Sequence, residues 1–359
     1  MMMNPEKTHA VVYCEGSFNT LNGKTAHGLV RFSLRFNVLS VIDSKYHGED
    51  SGMILDGKPN HIPIASDLEE SMQIAKEKGI AVSALIIGLA PDGGRMPQSA
   101  IPVIENAIKM GMDVYNGLHD FLSENKTLMA LSEEHHCRLI DIRKPPARHS
   151  LHFFSGKIEQ VDSLKIALLG TDSAVGKRTT AWLMVQAFRE AGYASELIGT
   201  GQTAWLQGAE YSIVMDSLVN DFVSGEIEHV IYQAWKNEHP DVLILEGQGS
   251  LLNPAYPGGF ELLAAGRPDL VVLQHAPKRI YYDGFPGYRI QDLNHQIQAI
   301  EIISGTRVRA VTINHEGMQQ HEISQACKRI LKETGVPAYD VLEHGAGDLV
   351  EYLKPELVS

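Results

Sequence analysis

The sequence predicts an α/β fold with two parallel-sheet domains. Short apolar runs of strand length alternate with helical segments along the whole chain, which is typical of parallel sheets covered by helices. A glycine-bracketed loop at residues 170–176 lies between one such strand and a helix. With 359 residues, the chain is long enough for two ordinary domains. We therefore expect a Rossmann-like N-terminal domain at residues 1–148 and a C-terminal P-loop NTPase-like domain at residues 149–359.

Five strands and three helices are predicted in the first domain. The strands are expected at residues 9–14, 38–42, 84–87, 112–115 and 138–142, and the helices at 24–33, 98–110 and 121–135. Pro145 and Pro146 lie in a charged stretch that favours extended, solvated backbone, so the linker is placed there.

Glycine-rich turns of this domain are candidates for ligand contact. After the first strand, residues 15–19 do not carry the GxGxxG fingerprint, so nicotinamide binding is not expected. Residues 88–94 follow a strand and contain three glycines, and Arg95 comes directly after them. The carboxyl end of a strand is where open α/β sheets bind ligands, so Arg95 can pair with a substrate carboxylate. An exposed arginine on a tight turn is the alternative.

The loop at residues 170–176 predicts a bound phosphate group. Residues 166–169 form an apolar strand, and a helix is expected from Lys177 to about residue 189. Backbone N–H groups at a helix N-terminus attract anions, and Lys177 adds a full positive charge. An ordinary turn between a strand and a helix is the alternative.

Further strands of the second domain end in candidate site residues. Strand 195–198 is followed by a glycine-rich turn with Gln202 and Thr203, which are candidates for substrate contact. Strand 241–245 ends in Glu246, the usual place of a carboxylate that binds Mg²⁺ beside a phosphate loop. Gln248, in the glycine-rich segment after it, is a further candidate for substrate contact. The remaining elements are expected to be a mostly helical stretch at 212–239, strands at 270–273, 308–313 and 338–341, and helices at 291–303 and up to 333.

Composition excludes several classes of protein. The net charge of −13 makes nucleic acid an improbable partner. Three separated cysteines without a CxxC pair suit a reducing cytoplasm. The N-terminus resembles no secretion signal, and no apolar stretch is long enough for a membrane span. The adjacent histidines 135 and 136 lack the spacing of metal ligands.

The phosphate loop resembles that of dethiobiotin synthetases and their relatives. Glu246-Gly247 resembles their Glu-Gly segment, and Asn314 falls near their adenine-reading asparagine. Including the first half, the whole chain resembles the D-glutamate N-acetyltransferase-like family, which joins a Rossmann-like domain to a P-loop domain. The stretches that carry this resemblance are residues 90–95, 117–121, 199–203 and 246–251. The activity it implies is transfer of an acetyl group from acetyl-CoA to the amine of D-glutamate.

One position departs from ordinary ATP-binding loops. The residue after the lysine is usually Ser or Thr, whose hydroxyl binds Mg²⁺, but here it is Arg178. Thr179 is one position further along the helix, which turns its side chain by about 100°. Lys177 and Arg178 together can neutralise a diphosphate without metal, which suits coenzyme A.

These observations give a set of expected site residues and three candidate functions. In the first, an acetyltransferase, Glu246 is the general base, assisted by Lys177, and an acidic amino acid is the acceptor. In the second, a ligase or kinase uses ATP and Mg²⁺ bound by Glu246. The third is a nucleotide-dependent regulator without turnover. We also expect a homo-oligomer. The residues expected to bind the cofactor are Gly170, Thr171, Asp172, Ser173, Ala174, Val175, Gly176, Lys177, Arg178, Thr179 and Asn314.

Overall fold

The protein consists of two compact units, each built on one parallel sheet. A computed structural model describes residues 7–358. The first unit contains the chain up to residue 145 together with residues 202–209, and the second contains residues 146–201 and those from 210 onward. The predicted α/β class with two parallel-sheet domains is confirmed.

The first unit has a six-stranded parallel sheet in the order β3-β2-β1-β4-β5-β6. This order reverses direction between β1 and β4, as in Rossmann-like sheets. The strands are β1 (Thr8–Tyr13), β2 (Phe36–Ile42), β3 (Ile64–Ala65), β4 (Ala84–Ile87), β5 (Asp113–Asn116) and β6 (Leu139–Asp141). The helices in this part of the chain are α1 (Lys24–Arg31), α2 (Ser51–Asp56), α3 (Leu68–Glu77), α4 (Ala100–Lys109) and α5 (Lys126–Glu134).

The second unit has a seven-stranded parallel sheet in the order β13-β12-β11-β7-β10-β8-β9. Its strands are β7 (Leu164–Gly170), β8 (Ser195–Gly199), β9 (Tyr211–Ser212), β10 (Val242–Glu246), β11 (Leu270–His275), β12 (Val308–Ile313) and β13 (Ala338–Tyr339). The helices from residue 177 onward are α6 (Lys177–Glu190), α7 (Gln202–Gln207), α8 (Asn220–Glu238), α9 (Phe260–Gly266), α10 (Leu293–Ser304), α11 (Gln320–Thr334), α12 (Val341–His344) and α13 (Gly347–Leu353).

Strand β7 occupies the middle of the second sheet, between β11 and β10. All seven of its residues are buried, in agreement with the apolar run in the sequence. Because the strands are parallel, the loops after β7, β10 and β11 leave the sheet at the same edge. This topology brings the phosphate loop and the segment after Glu246 together.

Helix α7 belongs to the first unit although it lies in the C-terminal half of the sequence. Leu206 is fully buried in the core of the first unit. The Nε2 atom of Gln207 donates to the carbonyl oxygens of Gly28 and Phe32, at 2.8 and 3.0 Å. The sequence predicted a single domain boundary after residue 148. In the structure the chain leaves the first unit after residue 145 and returns to it once, at residues 202–209.

The expectation of a mostly helical stretch at residues 212–239 is confirmed by a 3₁₀ turn at Met215–Ser217 and by α8, although the stretch begins in a strand. Helix α8 begins at Asn220, and Tyr211 and Ser212 form the edge strand β9 beside β8. A two-residue strand is held by its pairing with a neighbour, so the local sequence carries almost no signal for it. In residues 7–358, no helix combines the length and the apolar character that crossing a membrane requires.

Gly225 is required by a close backbone contact inside the second unit. A Cβ atom at this position of α8 would lie 2.0 Å from the carbonyl oxygen of His152. We expect Gly225→Ala to destabilise the fold by about 1–3 kcal/mol through overpacking, which lowers the thermal unfolding midpoint. Gly347→Ala, in a helix where a Cβ meets nothing within 4 Å, is the matched control and should leave the midpoint unchanged or slightly higher. Equal midpoints for the two variants would contradict this reading.

Candidate functional site

The loop between β7 and α6 has the backbone of an anion-binding site. Gly176, directly before α6, has a φ of 99°, in the region that favours glycine. A Cβ on Gly170 would lie 2.8 Å from the Nζ atom of Lys177, so this position has no room for a side chain. Among the described residues, the backbone N–H groups of Ala174, Val175 and Gly176 have no hydrogen-bond partner. These three donors lie at the N-terminus of a 14-residue helix and suit a phosphate group.

Lys177 is held at this loop by two backbone oxygens. Its Nζ atom donates to the carbonyl oxygens of Asp172 and Gly249, each at 2.8 Å. Burial lowers the pKa of Lys177 to about 8, although the charges of Glu246 and Asp172 act in the opposite direction. The Lys177 side chain is therefore mainly protonated at neutral pH, and its pKa lies only slightly above that pH.

Glu246 ends β10 and is buried beside this lysine. Burial raises the pKa of Glu246, while the charges of Arg178 and Lys177 and a hydrogen bond from Thr200 act to lower it. The backbone N–H of Thr200 donates to Oε2 of Glu246 at 3.1 Å, and the Thr200 hydroxyl donates to the Glu246 carbonyl at 2.8 Å. A carboxylate with a raised pKa and a fixed orientation has the properties of a general base.

Asp172 is fully buried and connects the loop to two other segments. Its Oδ1 atom accepts hydrogen bonds from the backbone N–H of Ser173 and from Nδ2 of Asn253, at 2.7 and 2.9 Å. Its Oδ2 atom accepts from Nη1 of Arg279 and from the backbone N–H of Asp283, at 3.1 and 2.8 Å. The sequence places Asp172 among cofactor contacts, and the structure gives its carboxylate four partners within the protein.

Arg279 is a residue of this site that the sequence analysis did not identify. It donates to the carbonyl oxygen of Ser173 at 2.7 Å and forms an ion pair with Glu316 at 2.7 Å, besides its pair with Asp172. One signal for Arg279 was available in the sequence. It is a cationic residue four positions after the buried strand β11, which ends at the same sheet edge as β7. Thr200 and Asn253 were also missed, because their roles depend on contacts with residues 46 and 81 positions away.

Asn314 lies against the phosphate loop. Its Nδ2 atom donates to the carbonyl oxygen of Val175 at 3.0 Å, and its Oδ1 atom accepts from the backbone N–H of Glu316. Contact with an adenine ring stays a prediction for this residue.

Thr180, one of two hydroxyl residues that follow Arg178, donates to Oε1 of Gln274 at 2.7 Å. The other, Thr179, is half-buried on α6.

The hydroxyl of Thr171, the first loop residue, lies 3.0 Å from Nδ1 of His275 at the end of β11. Burial, together with the charge of Arg329, lowers the pKa of His275 to about 4, so this imidazole is neutral at physiological pH. The loop is thus bonded to the neighbouring strand by a neutral group.

The residues expected to contact substrate lie in both units. Gln248 is in the second, where its Nε2 atom donates to the carbonyl oxygen of Thr200 at 2.8 Å. Arg95, Gln202 and Thr203 are in the first. Arg95 is 79% exposed and pairs with Asp120 at 3.2 Å, and the buried Thr203 hydroxyl lies 3.2 Å from that of Thr25. Their roles in substrate binding stay predictions.

No cluster of three His, Cys, Asp or Glu side chains suitable for a metal ion occurs within residues 7–358. Mg²⁺ in nucleotide sites commonly takes one or two protein carboxylates together with phosphate oxygens and water. Binding of Mg²⁺ by Glu246 therefore stays a prediction.

Two family models match the chain over most of its length. Residues 44–145 match the DUF1611_N Rossmann-like domain, and residues 152–350 match the DUF1611_C P-loop domain, both described as domains of unknown function. The chain belongs to the DUF1611 family. A crystal structure of a DUF1611 family protein from Anabaena variabilis has been determined at 2.30 Å resolution. That protein is 27% identical, with a TM-score of 0.88 over 97% of this chain and 100% of its own.

Two relatives carry the name D-glutamate N-acetyltransferase. The one from a Pseudoalteromonas species is 31% identical over 288 residues, which are 78% of this chain and 84% of the relative. The one from Tritonibacter scottomollicae is 29% identical over 289 residues, 79% of this chain and 84% of its own. The resemblance inferred from the sequence motifs is thereby confirmed for this DUF1611 chain.

The lowered pKa of Lys177 predicts how anion binding depends on pH. A diphosphate at the loop favours the protonated lysine, so binding weakens once the free protein loses this proton above pH 8. We expect the affinity for ADP to fall by up to about tenfold between pH 8 and about pH 9, measured by calorimetry at constant ionic strength. Lys177→Gln has no proton to lose there and should bind ADP more weakly, with a flat profile. The same slope in both proteins would be incompatible with this assignment.

Proposed function

We propose that the protein transfers an acetyl group from acetyl-CoA to the amino group of an acidic amino acid, with D-glutamate as the first candidate. The names of the two relatives support this reaction class and acceptor. The observation that carries the proposal is the buried Glu246 with a raised pKa next to a cationic phosphate loop. Acetyl transfer needs both parts, a site for the donor and a base for the acceptor.

The donor fits the phosphate loop through its diphosphate. The partnerless N–H groups of residues 174–176 and the ammonium of Lys177 supply donors and positive charge for it. Arg178 acts electrostatically on Glu246, so its guanidinium lies in the same part of the site. An arginine binds phosphate oxygens in bidentate geometry and needs no metal ion. These features favour a CoA-type diphosphate.

Glu246 would remove a proton from the substrate ammonium, because only the neutral amine has a lone pair for attack. The nitrogen then bonds to the thioester carbonyl carbon, the carbon–sulfur bond breaks, and the CoA sulfur leaves with the electron pair. The nitrogen loses its second proton as the amide forms, and this proton passes to the leaving thiolate, which becomes the free thiol. The first proton, held on Glu246, passes to solvent. A raised pKa brings Glu246 closer to operating pH, where a general base is most effective.

One observation favours a second function, the ATP-dependent activation of a carboxylate. Strand β10 pairs directly with β7, so Glu246 occupies the position of the acidic residue that binds Mg²⁺ beside many phosphate loops. Lys177 would then contact the terminal phosphates. Against it, the position usually held by a Mg²⁺-binding hydroxyl is Arg178, and the Thr180 hydroxyl is bound to Gln274.

Replacing the proposed base tests the reaction. Glu246→Gln keeps the shape of the side chain but cannot accept a proton, so we expect kcat for thiol release from acetyl-CoA with D-glutamate to fall by about 10²–10⁴. The wild-type rate should rise with pH as Glu246 loses its proton. Glu196→Gln is the matched control, because this carboxyl on β8 also has a pKa raised by burial. Equal activity of both variants would remove Glu246 from the mechanism.

Arg178 distinguishes the two donors. Arg178→Thr restores the residue that usually binds Mg²⁺ and removes one cation from the loop. We expect its affinity for CoA to fall by about tenfold, the value of one charge-assisted hydrogen-bond pair, by calorimetry without metal. Tight binding of ATP with Mg²⁺ by the wild type, without any binding of CoA, would instead select the ATP-dependent reaction.

A further inference from the structure

The loop after β7 is held by side chains that bond its backbone carbonyl oxygens. Nη1 of Arg279 donates to the carbonyl oxygen of Ser173 at 2.7 Å, and Nη2 donates to that of Ala174 at 3.4 Å. Nδ2 of Asn314 donates to the carbonyl oxygen of Val175 at 3.0 Å. Two side chains from the segments after the neighbouring strands β11 and β12 therefore bond three consecutive carbonyl groups.

Each of these carbonyl groups shares a peptide plane with the N–H group of the next residue. The peptide bonds of the loop are trans, and in a trans peptide the C=O and N–H bonds point in opposite directions. The N–H groups concerned are those of Ala174, Val175 and Gly176, and none of the three has a hydrogen-bond partner within the described part of the chain. Holding the carbonyl oxygens on one side thus turns the three free amides to the other side.

The backbone of this loop needs such support. Ala174 has a φ of 49°, in the left-handed region that residues with a Cβ atom rarely adopt. Its methyl group is exposed, so side-chain packing does not hold it in this conformation. The hydrogen bonds to the carbonyl oxygens on both sides of Ala174 are therefore what fixes its backbone.

Arg279 contributes orientation to the loop rather than net charge. Its guanidinium also pairs with Asp172 at 3.1 Å and with Glu316 at 2.7 Å, so its positive charge is already compensated. The planar fork of a guanidinium suits this task, because its fixed donors reach several acceptors at once. Glu316 also joins the two side chains, since its backbone N–H donates to Oδ1 of Asn314 at 3.0 Å.

We propose that Arg279 and Asn314 are positioning residues of the phosphate loop, which keep its three free amides turned toward a bound phosphate. This inference rests on the anion site of the proposed function but not on acetyl transfer. It gives Asn314 a role in binding any phosphate ligand, with or without an adenine ring. When either side chain is lost, the carbonyl oxygens that it held can turn toward the anion and repel it.

Calorimetry on the full chain with inorganic pyrophosphate and with ADP tests the role of Asn314. A residue that acts through the loop affects both ligands equally, whereas a residue that reads adenine affects only ADP. We expect Asn314→Ala to weaken the binding of both by about fivefold, the value of one neutral hydrogen bond. Asn294→Ala is the matched control, because the Asn294 side chain also donates to a backbone carbonyl, that of Glu333, outside the loop. This control should bind both ligands as the wild type does.

Arg279 is tested with two variants, because removing its charge also leaves the buried Asp172 carboxylate without its cation. Arg279→Lys keeps the charge, but one ammonium group does not replace the fork, so we expect the affinity for pyrophosphate to fall by about tenfold. Arg279→Gln should bind at least as weakly and unfold at a lower temperature. Lys278→Gln, which removes the neighbouring cation and its ion pair with Glu322, is the control and should keep the wild-type affinity.

Hydrogen exchange separates positioning of the loop from a general loss of stability. At saturating pyrophosphate, the amides of residues 174–176 should be protected in the wild type and less protected in Arg279→Lys. Three results would overturn the proposal: wild-type pyrophosphate affinity in Arg279→Lys, an effect of Asn314→Ala on ADP alone, and no binding of pyrophosphate by the wild type. Because pyrophosphate carries no acyl group, a protein that binds it in this way without transferring acetyl would contradict the proposed function alone.

Discussion

The buried carboxylate of Asp172 is the interaction on which the geometry of the site depends. A fully buried charge is costly unless it is compensated, and here each carboxylate oxygen accepts two hydrogen bonds. The donors come from the loop itself, from the segment after β10 and from the segment after β11. One desolvated group thus fixes three loops at the same sheet edge. A phosphate-binding loop needs such support, since its amides must keep their orientation before a ligand arrives.

A second constraint is the opposition between burial and charge at Lys177 and Glu246. Burial disfavours the charged form of both, which lowers the pKa of the lysine and raises that of the glutamate. Their mutual attraction and the charge of Arg178 only partly offset this effect at Glu246. The pKa values of both groups are therefore closer to neutral pH than those of the free side chains. A site in which a proton must leave an ammonium near neutral pH benefits from this combination.

Motifs that need only neighbouring residues were visible in the sequence. The strand, the glycines at 170 and 176 and the lysine at 177 are consecutive, and their physical roles are local. Glu246 followed from an acid at the end of an apolar strand. By contrast, Arg279 and Asn253 act through Asp172, more than 80 positions away, and α3 was not predicted although one of its faces is buried. Its start was nevertheless marked by Asp67 and Glu70, whose spacing is typical of a helix N-terminus.

By itself the sequence determined the α/β class, the phosphate loop and the central strands, because hydrophobic alternation and glycine-bracketed turns report local backbone and burial. Only the tertiary structure decided the strand order, which segments meet at the edge of each sheet and where an isolated helix packs. Helix α7 shows this, since its sequence lies between two strands of the second sheet while its apolar side packs into the first unit. The physical reason is that burial and charge compensation are satisfied by whatever groups lie nearby in space, and a linear pattern does not specify those neighbours.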